Sequence, residues 1–74
     1  MSSTIVDVAV VGFPIRLGQF LKLAGLAEHG AGARELVETD QVLVNGEVEG
    51  RRGAQLQLGD VVAVAGRRVR AVTA

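Results

Sequence analysis

Two short runs in this chain of 74 residues have the residue types and spacing to hold an anion. Glu49-Gly50-Arg51-Arg52-Gly53 places adjacent arginines among glycines with no packing periodicity. In so flexible a setting each guanidinium can offer phosphate oxygens its planar fork of donors. The other run, His29-Gly30-Ala31-Gly32-Ala33-Arg34, opens a helical pattern. A helix N-terminus presents unpaired amide N–H groups and partial positive charge, and Gly30 and Gly32 have no side chain to keep an anion at a distance. Both runs also have bland readings: the arginines as a solvated loop, the glycines as spacers for close helix-helix approach. His29 is the one histidine, and the chain has no cysteine and no serine after Ser3. It therefore lacks a partner for nucleophilic or general-base chemistry, which leaves a contact or capping role. The expectation is no catalytic residue, no metal site and no cofactor.

Composition narrows the class further. The formal net charge is zero, but residues 1–50 carry three cations against seven carboxylates, while residues 51–74 carry five arginines against Asp60 alone. The two parts thus hold −4 and +4, and local field rather than total charge decides whether a polyanion is attracted. Apolar residues reach 49%, mostly Val, Leu and Ala, so the core is expected to be aliphatic and finely divided. No apolar run approaches the roughly 20 residues of a membrane span, and no basic region opens a secretory signal. Together with the lack of cysteine this predicts a soluble protein of the reducing cytoplasm.

The elements that must position these runs can be read in order. Met1 to Ser3 is expected to fray. Thr4 to Val11 is β-branched with one charge, a strand stopped by Gly12 and followed by a bend at Pro14. From Ile15 to Ala24 the residues Leu17, Phe20, Leu21 and Ala24 form one apolar helical stripe, with Gln19 and Lys22 on the polar side. Gly25 suits a left-handed C-cap supported by Leu26. A second helix turns Ala33, Leu36 and Val37 inward and Arg34, Glu35 and Glu38 outward. It delivers the chain into Val42-Leu43-Val44 and the hairpin turn Asn45-Gly46, with Glu47 opposite Val44 and Val48 opposite Leu43, the latter pair expected on the buried face.

After Leu56 and Leu58, Gly59-Asp60 makes a turn. A last hairpin, Val61 to Ala65 and Arg68 to Val72, is predicted around Gly66-Arg67, pairing Val64 with Val69 and Val62 with Ala71 on the buried face. Arg68 and Arg70 then point away, where they could meet an anion or blunt an edge strand against aggregation, and the second is the preferred reading. The predicted fold is one α+β domain over residues 1–74, two short helices packed on a small, mostly antiparallel sheet in the order β-α-α-β-β-β-β.

With these residues in hand, the chain resembles the S4 RNA-binding domain from Ile15 to about Val64. The resemblance rests on Arg16-Leu17 before the first helix, the leucine-rich Phe20-Leu21-Lys22-Leu23-Ala24-Gly25, Ala33 with Leu36-Val37, Val42 to Gly46, and Gly59-Asp60-Val61-Val62. It is similar to the small free-standing members of the YbcJ/YaaA type in Gly30-Ala31-Gly32-Ala33-Arg34, Asn45-Gly46-Glu47 and Arg51-Arg52-Gly53. His29-Gly30 stands where many members carry an arginine, Asp40 where the wider family has glycine, and Glu28, Glu35 and Glu38 add negative charge. The resemblance implies the S4-like alpha-L fold and a ribosomal RNA or ribosome-bound role.

Both lines lead to a non-enzymatic, monomeric module for structured RNA. Lys22, Arg34, Arg51 and Arg52 would engage phosphates and Gly30 to Gly32 would bring amides to the RNA backbone, with Arg16 and His29 as secondary contacts. Recognition would be by shape and phosphate position, because A-form RNA hides its base edges. About four phosphate contacts predict a salt slope of about three to four. The competing expectation is a protein-interaction adaptor using surfaces of opposite sign. A ubiquitin-like sulfur carrier is disfavoured because Thr73-Ala74 stands where Gly-Gly would be required.

Overall fold

The computed structural model describes residues 4–74; the fraying expected at Met1 to Ser3 lies outside them. In chain order the elements are β1 (Ile5–Val10), β2 (Ile15–Arg16), α1 (Leu17–Leu23), α2 (Gly30–Glu38), β3 (Val42–Val44), β4 (Glu47–Val48), β5 (Gln55–Leu56), β6 (Val61–Val64) and β7 (Arg67–Thr73). Five strands form one sheet in the spatial order β1-β7-β6-β3-β4, antiparallel except for the β1–β7 pair. The helices and these five strands follow the expected order. A small addition, β2 paired antiparallel with β5, takes Ile15 and Arg16 out of the helix that the apolar stripe suggested.

The stripe on α1 does what its spacing requires: Leu17, Phe20 and Leu21 are fully buried. They meet Ala33 and Val37 of α2 and the inward-facing Val42, Leu56, Val62, Val64, Val69 and Ala71 in one core cluster. Both helices stop by the same device. After α1 the Leu26 N–H donates to the Leu21 carbonyl at 2.9 Å and the Gly25 N–H to that of Lys22 at 3.1 Å, with Gly25 at φ +73°. After α2 the Gln41 N–H donates to Leu36 at 3.0 Å and the Asp40 N–H to Val37 at 3.2 Å, with Asp40 at φ +57°. These are Schellman endings, which ask for glycine at the left-handed position. Asp40, the departure noted in the sequence, occupies that position because a short polar side chain tolerates it.

Three strand expectations need correction. The pairs Leu43–Val48 and Val44–Glu47 form as predicted, but Val48 is 55% exposed while Val42 is fully buried. The other side of β3 decides this: Val42 lies opposite Val64 and Val44 opposite Val62, so the face shared with β6 is the one that meets the core.

In the last hairpin the turn is Ala65-Gly66, at φ +52° and +81°, rather than Gly66-Arg67. A type I′ turn prefers glycine at its second central position, as in Asn45-Gly46. Val62 therefore pairs with Val69 and Val64 with Arg67, a slip of two residues that leaves the buried face unchanged.

Finally, β7 is not an edge. It is flanked by β1 and β6, and Arg70 donates from Nε to Asp7 Oδ1 across the parallel pair at 2.8 Å. The edges of the sheet are β1 and β4.

The Asn45-Gly46 and Gly59-Asp60 turns, separate in sequence, are one unit in space. Asn45 Nδ2 donates to Asp60 Oδ1 at 3.1 Å, and Asn45 Oδ1 accepts the Val61 N–H at 2.9 Å. Asp60 Oδ2 in turn accepts the Gln57 N–H at 2.8 Å. Asn45→Ala removes the two bonds of the Asn45 side chain and a residue suited to φ +51°, and is expected to lower unfolding stability by about 1–2 kcal/mol in urea titrations. The opposite sign is expected for Asp40→Gly, which relieves the left-handed strain and should raise stability by about 0.5–1 kcal/mol in the same measurement.

Candidate nucleic-acid interface

The first turn of α1 has no side-chain cap: its N-cap residue, Arg16, is extended and makes no capping hydrogen bond. Two carbonyls from the basic loop take the place of a cap. Leu17 N–H donates to the Ala54 carbonyl at 2.8 Å and Gly18 N–H to the Arg52 carbonyl at 3.1 Å. Two orphan amides of a helix start are thereby satisfied by backbone far along the chain. The flexible setting expected for Arg51-Arg52-Gly53 is corrected by this anchoring, which the β2–β5 pairing extends by two more residues.

The consequence is a groove of about 320 Å³ between the loop, α1 and the start of α2. Arg16, Gln19 and Lys22 line it from the α1 side, Arg52 and Gly53 from the loop, and Gly30 and Ala33 from α2. Among the described residues no carboxylate is part of that lining. At Gly30 a Cβ would find open space, so this corner of the groove is unobstructed.

Of the residues singled out in the sequence, Arg16, Lys22, Gly30 and Arg52 therefore meet, while the others do not join them. Arg51 is 81% exposed and turns back to Glu49, its Nε lying 3.3 Å from Oε2. That hydrogen bond, opposed in part by burial and helped by the Arg51 and Gly50 N–H groups, holds the Glu49 carboxyl below its ordinary pKa. Arg34 pairs with Glu38 one helical turn on, at 3.1 Å between two exposed side chains, a contact of only about 0.3–0.5 kcal/mol.

His29 and Gly32 lie across α2, in a second concavity with Leu26, Leu36, Glu28 and Glu35. There the imidazole Nδ1 accepts the Gly32 N–H at 3.2 Å and makes His29 the N-cap of α2. The amide expected to meet an anion already has an acceptor. The apolar stripe by itself places Gln19 only on the polar side of α1. Its place three residues from both Arg16 and Lys22 is the signal that would have put it in the groove.

A family model described as the S4 domain matches residues 8–72. The chain belongs to the S4 domain family. Its extent is wider than the motif span suggested, since it includes half of β1 and most of β7. RlbA of Bacillus subtilis, named a probable ribosome maturation protein, is 48% identical over 52 residues, 70% of this chain and 73% of RlbA. YbcJ of Escherichia coli is 38% identical over 58 residues, 78% of this chain and 83% of YbcJ. The solution structure of YbcJ, described as revealing an alpha-L motif involved in RNA binding, superposes with a TM-score of 0.71 at 32% identity, covering 99% of this chain and 94% of that one.

The cap assigns His29 of this S4 domain a structural task that can be separated from any ligand. His29→Ala is expected to lower stability by about 0.5–2 kcal/mol, and His29→Asp, which restores a capping oxygen, to recover most of it in chemical denaturation.

Proposed function

We propose that this S4 domain is a non-catalytic module that binds structured RNA, ribosomal RNA in particular, as a cytoplasmic monomer. The observation that carries the reading is the groove: in a chain with no net charge, Arg16, Lys22 and Arg52 converge on one concavity that no carboxylate lines. A cleft lined by one sign of charge focuses field and attracts a polyanion even when the whole molecule is neutral. The alpha-L motif named for YbcJ and the ribosome maturation named for RlbA support the same direction.

Three phosphate contacts give a salt slope of about two to three, somewhat below the four contacts read from sequence. Arg34 and Arg51 add to it only when RNA phosphate displaces Glu38 and Glu49. The groove is lined by long cations, Gln19 and small residues without an aromatic side chain, which suits phosphate positioning over base stacking. A second reading, a protein-interaction adaptor, draws on the concavity across α2, where Leu26 and Leu36 are bordered by Glu28 and Glu35.

The test is binding of ribosomal RNA fragments over a range of salt. Arg16→Ala, Lys22→Ala and Arg52→Ala are each expected to weaken binding uniformly and reduce the slope by about one. Arg67→Ala, which lines a different concavity beside Val6 and Val8, should leave both unchanged. Binding indifferent to salt, or to all three groove substitutions, overturns the RNA reading in favour of the adaptor.

A further inference from the structure

The groove contains one side chain that phosphate does not require. Gln19 is exposed on α1 and lines the concavity between Arg16 and Lys22, facing the side formed by Arg52, Gly53 and Gly30. Resting on the RNA reading above, we propose that Gln19 contacts the ribose 2′-hydroxyl and makes this groove selective for RNA over other polyanions of the same shape and charge.

The argument is one of order along a strand. Arg16 is the residue that leads into α1, and Gln19 and Lys22 follow at intervals of three residues, so the amide stands between two cations on the same wall of the groove. In a nucleic-acid strand the group between two successive phosphates is a sugar. A backbone whose phosphates are held by Arg16 and Lys22 therefore presents its sugar to Gln19. The amide is the one side chain lining the groove that both donates and accepts, and a 2′-hydroxyl does the same. The three cations only donate, and their attraction to phosphate is the same for RNA and for any strand of equal charge density. Discrimination at a given site must come from the hydroxyl. Gly30 and Gly53 leave room beside Arg52 on the opposite wall, so a sugar can approach the amide.

The experiment takes the ribosomal RNA fragment that binds most tightly in the salt titration and prepares it with ribose and with 2′-fluororibose. The fluorinated strand keeps the A-form shape and the phosphates but has no hydroxyl donor. Wild-type protein is expected to prefer the ribose form by about fivefold, the worth of one hydrogen bond. Gln19→Met, of similar size and without the amide, is expected to bind both forms equally with an unchanged salt slope. Because Gln19 is exposed, its melting temperature should equal that of wild type. A preference that survives Gln19→Met, or wild-type binding without preference, overturns the assignment while leaving the RNA reading in place. Failure of every fragment to bind overturns the RNA reading and this assignment with it.

Discussion

The geometry of the site depends on one backbone contact: the start of α1, which has no capping side chain, takes its acceptors from the carbonyls of Arg52 and Ala54. Helix amides left without partners are costly when water is excluded, so this tie stabilises both the helix and the loop. It also sets the electrostatics. Arginine side chains on a free loop would be averaged over many positions, whereas here the backbone of Arg52 is held within hydrogen-bond distance of the residue two after Arg16. Three cations are thereby kept near one another against their mutual repulsion, the usual condition of a site made to receive an anion.

The second organising fact is the partition made by α2. Successive positions on a helix point to different sides, and here Gly30 and Ala33 line the basic groove while Gly32, Glu35 and Leu36 line the concavity beyond. The helix thus presents only small residues to the cations of the groove and turns Glu35 to the other side. Where opposite charges do meet, as in Arg34–Glu38 and Arg51–Glu49, the arginine is exposed in each pair, so solvent screens it and phosphate can draw it away.

Turn chemistry explains why the family's punctuation falls where it does. Asn45-Gly46 needs left-handed backbone, and its side chain also binds Asp60, so the two motifs support a single junction between β3, β4 and β6. The same logic accounts for Asp40 in place of glycine and for the Ala65-Gly66 turn that displaced the predicted one.

Local pattern was sufficient for much of this. The 3.6-residue stripe of Leu17, Phe20 and Leu21, the Gly25 stop, the Asn45-Gly46 turn and its register, and the capping role left to His29 all follow from interactions within a few residues, and the order of helices and main-sheet strands follows from them. Four other features were decided by tertiary structure: which face of β3 is buried, that β7 lies inside the sheet, that Arg52 joins Arg16 and Lys22 while Arg51 does not, and that Gln19 faces the groove. Each depends on a partner distant in sequence, β6 for β3, β1 for β7, and the loop carbonyls for the start of α1. Periodicity states which residues share a side of an element. Only the packing of elements determines what that side meets.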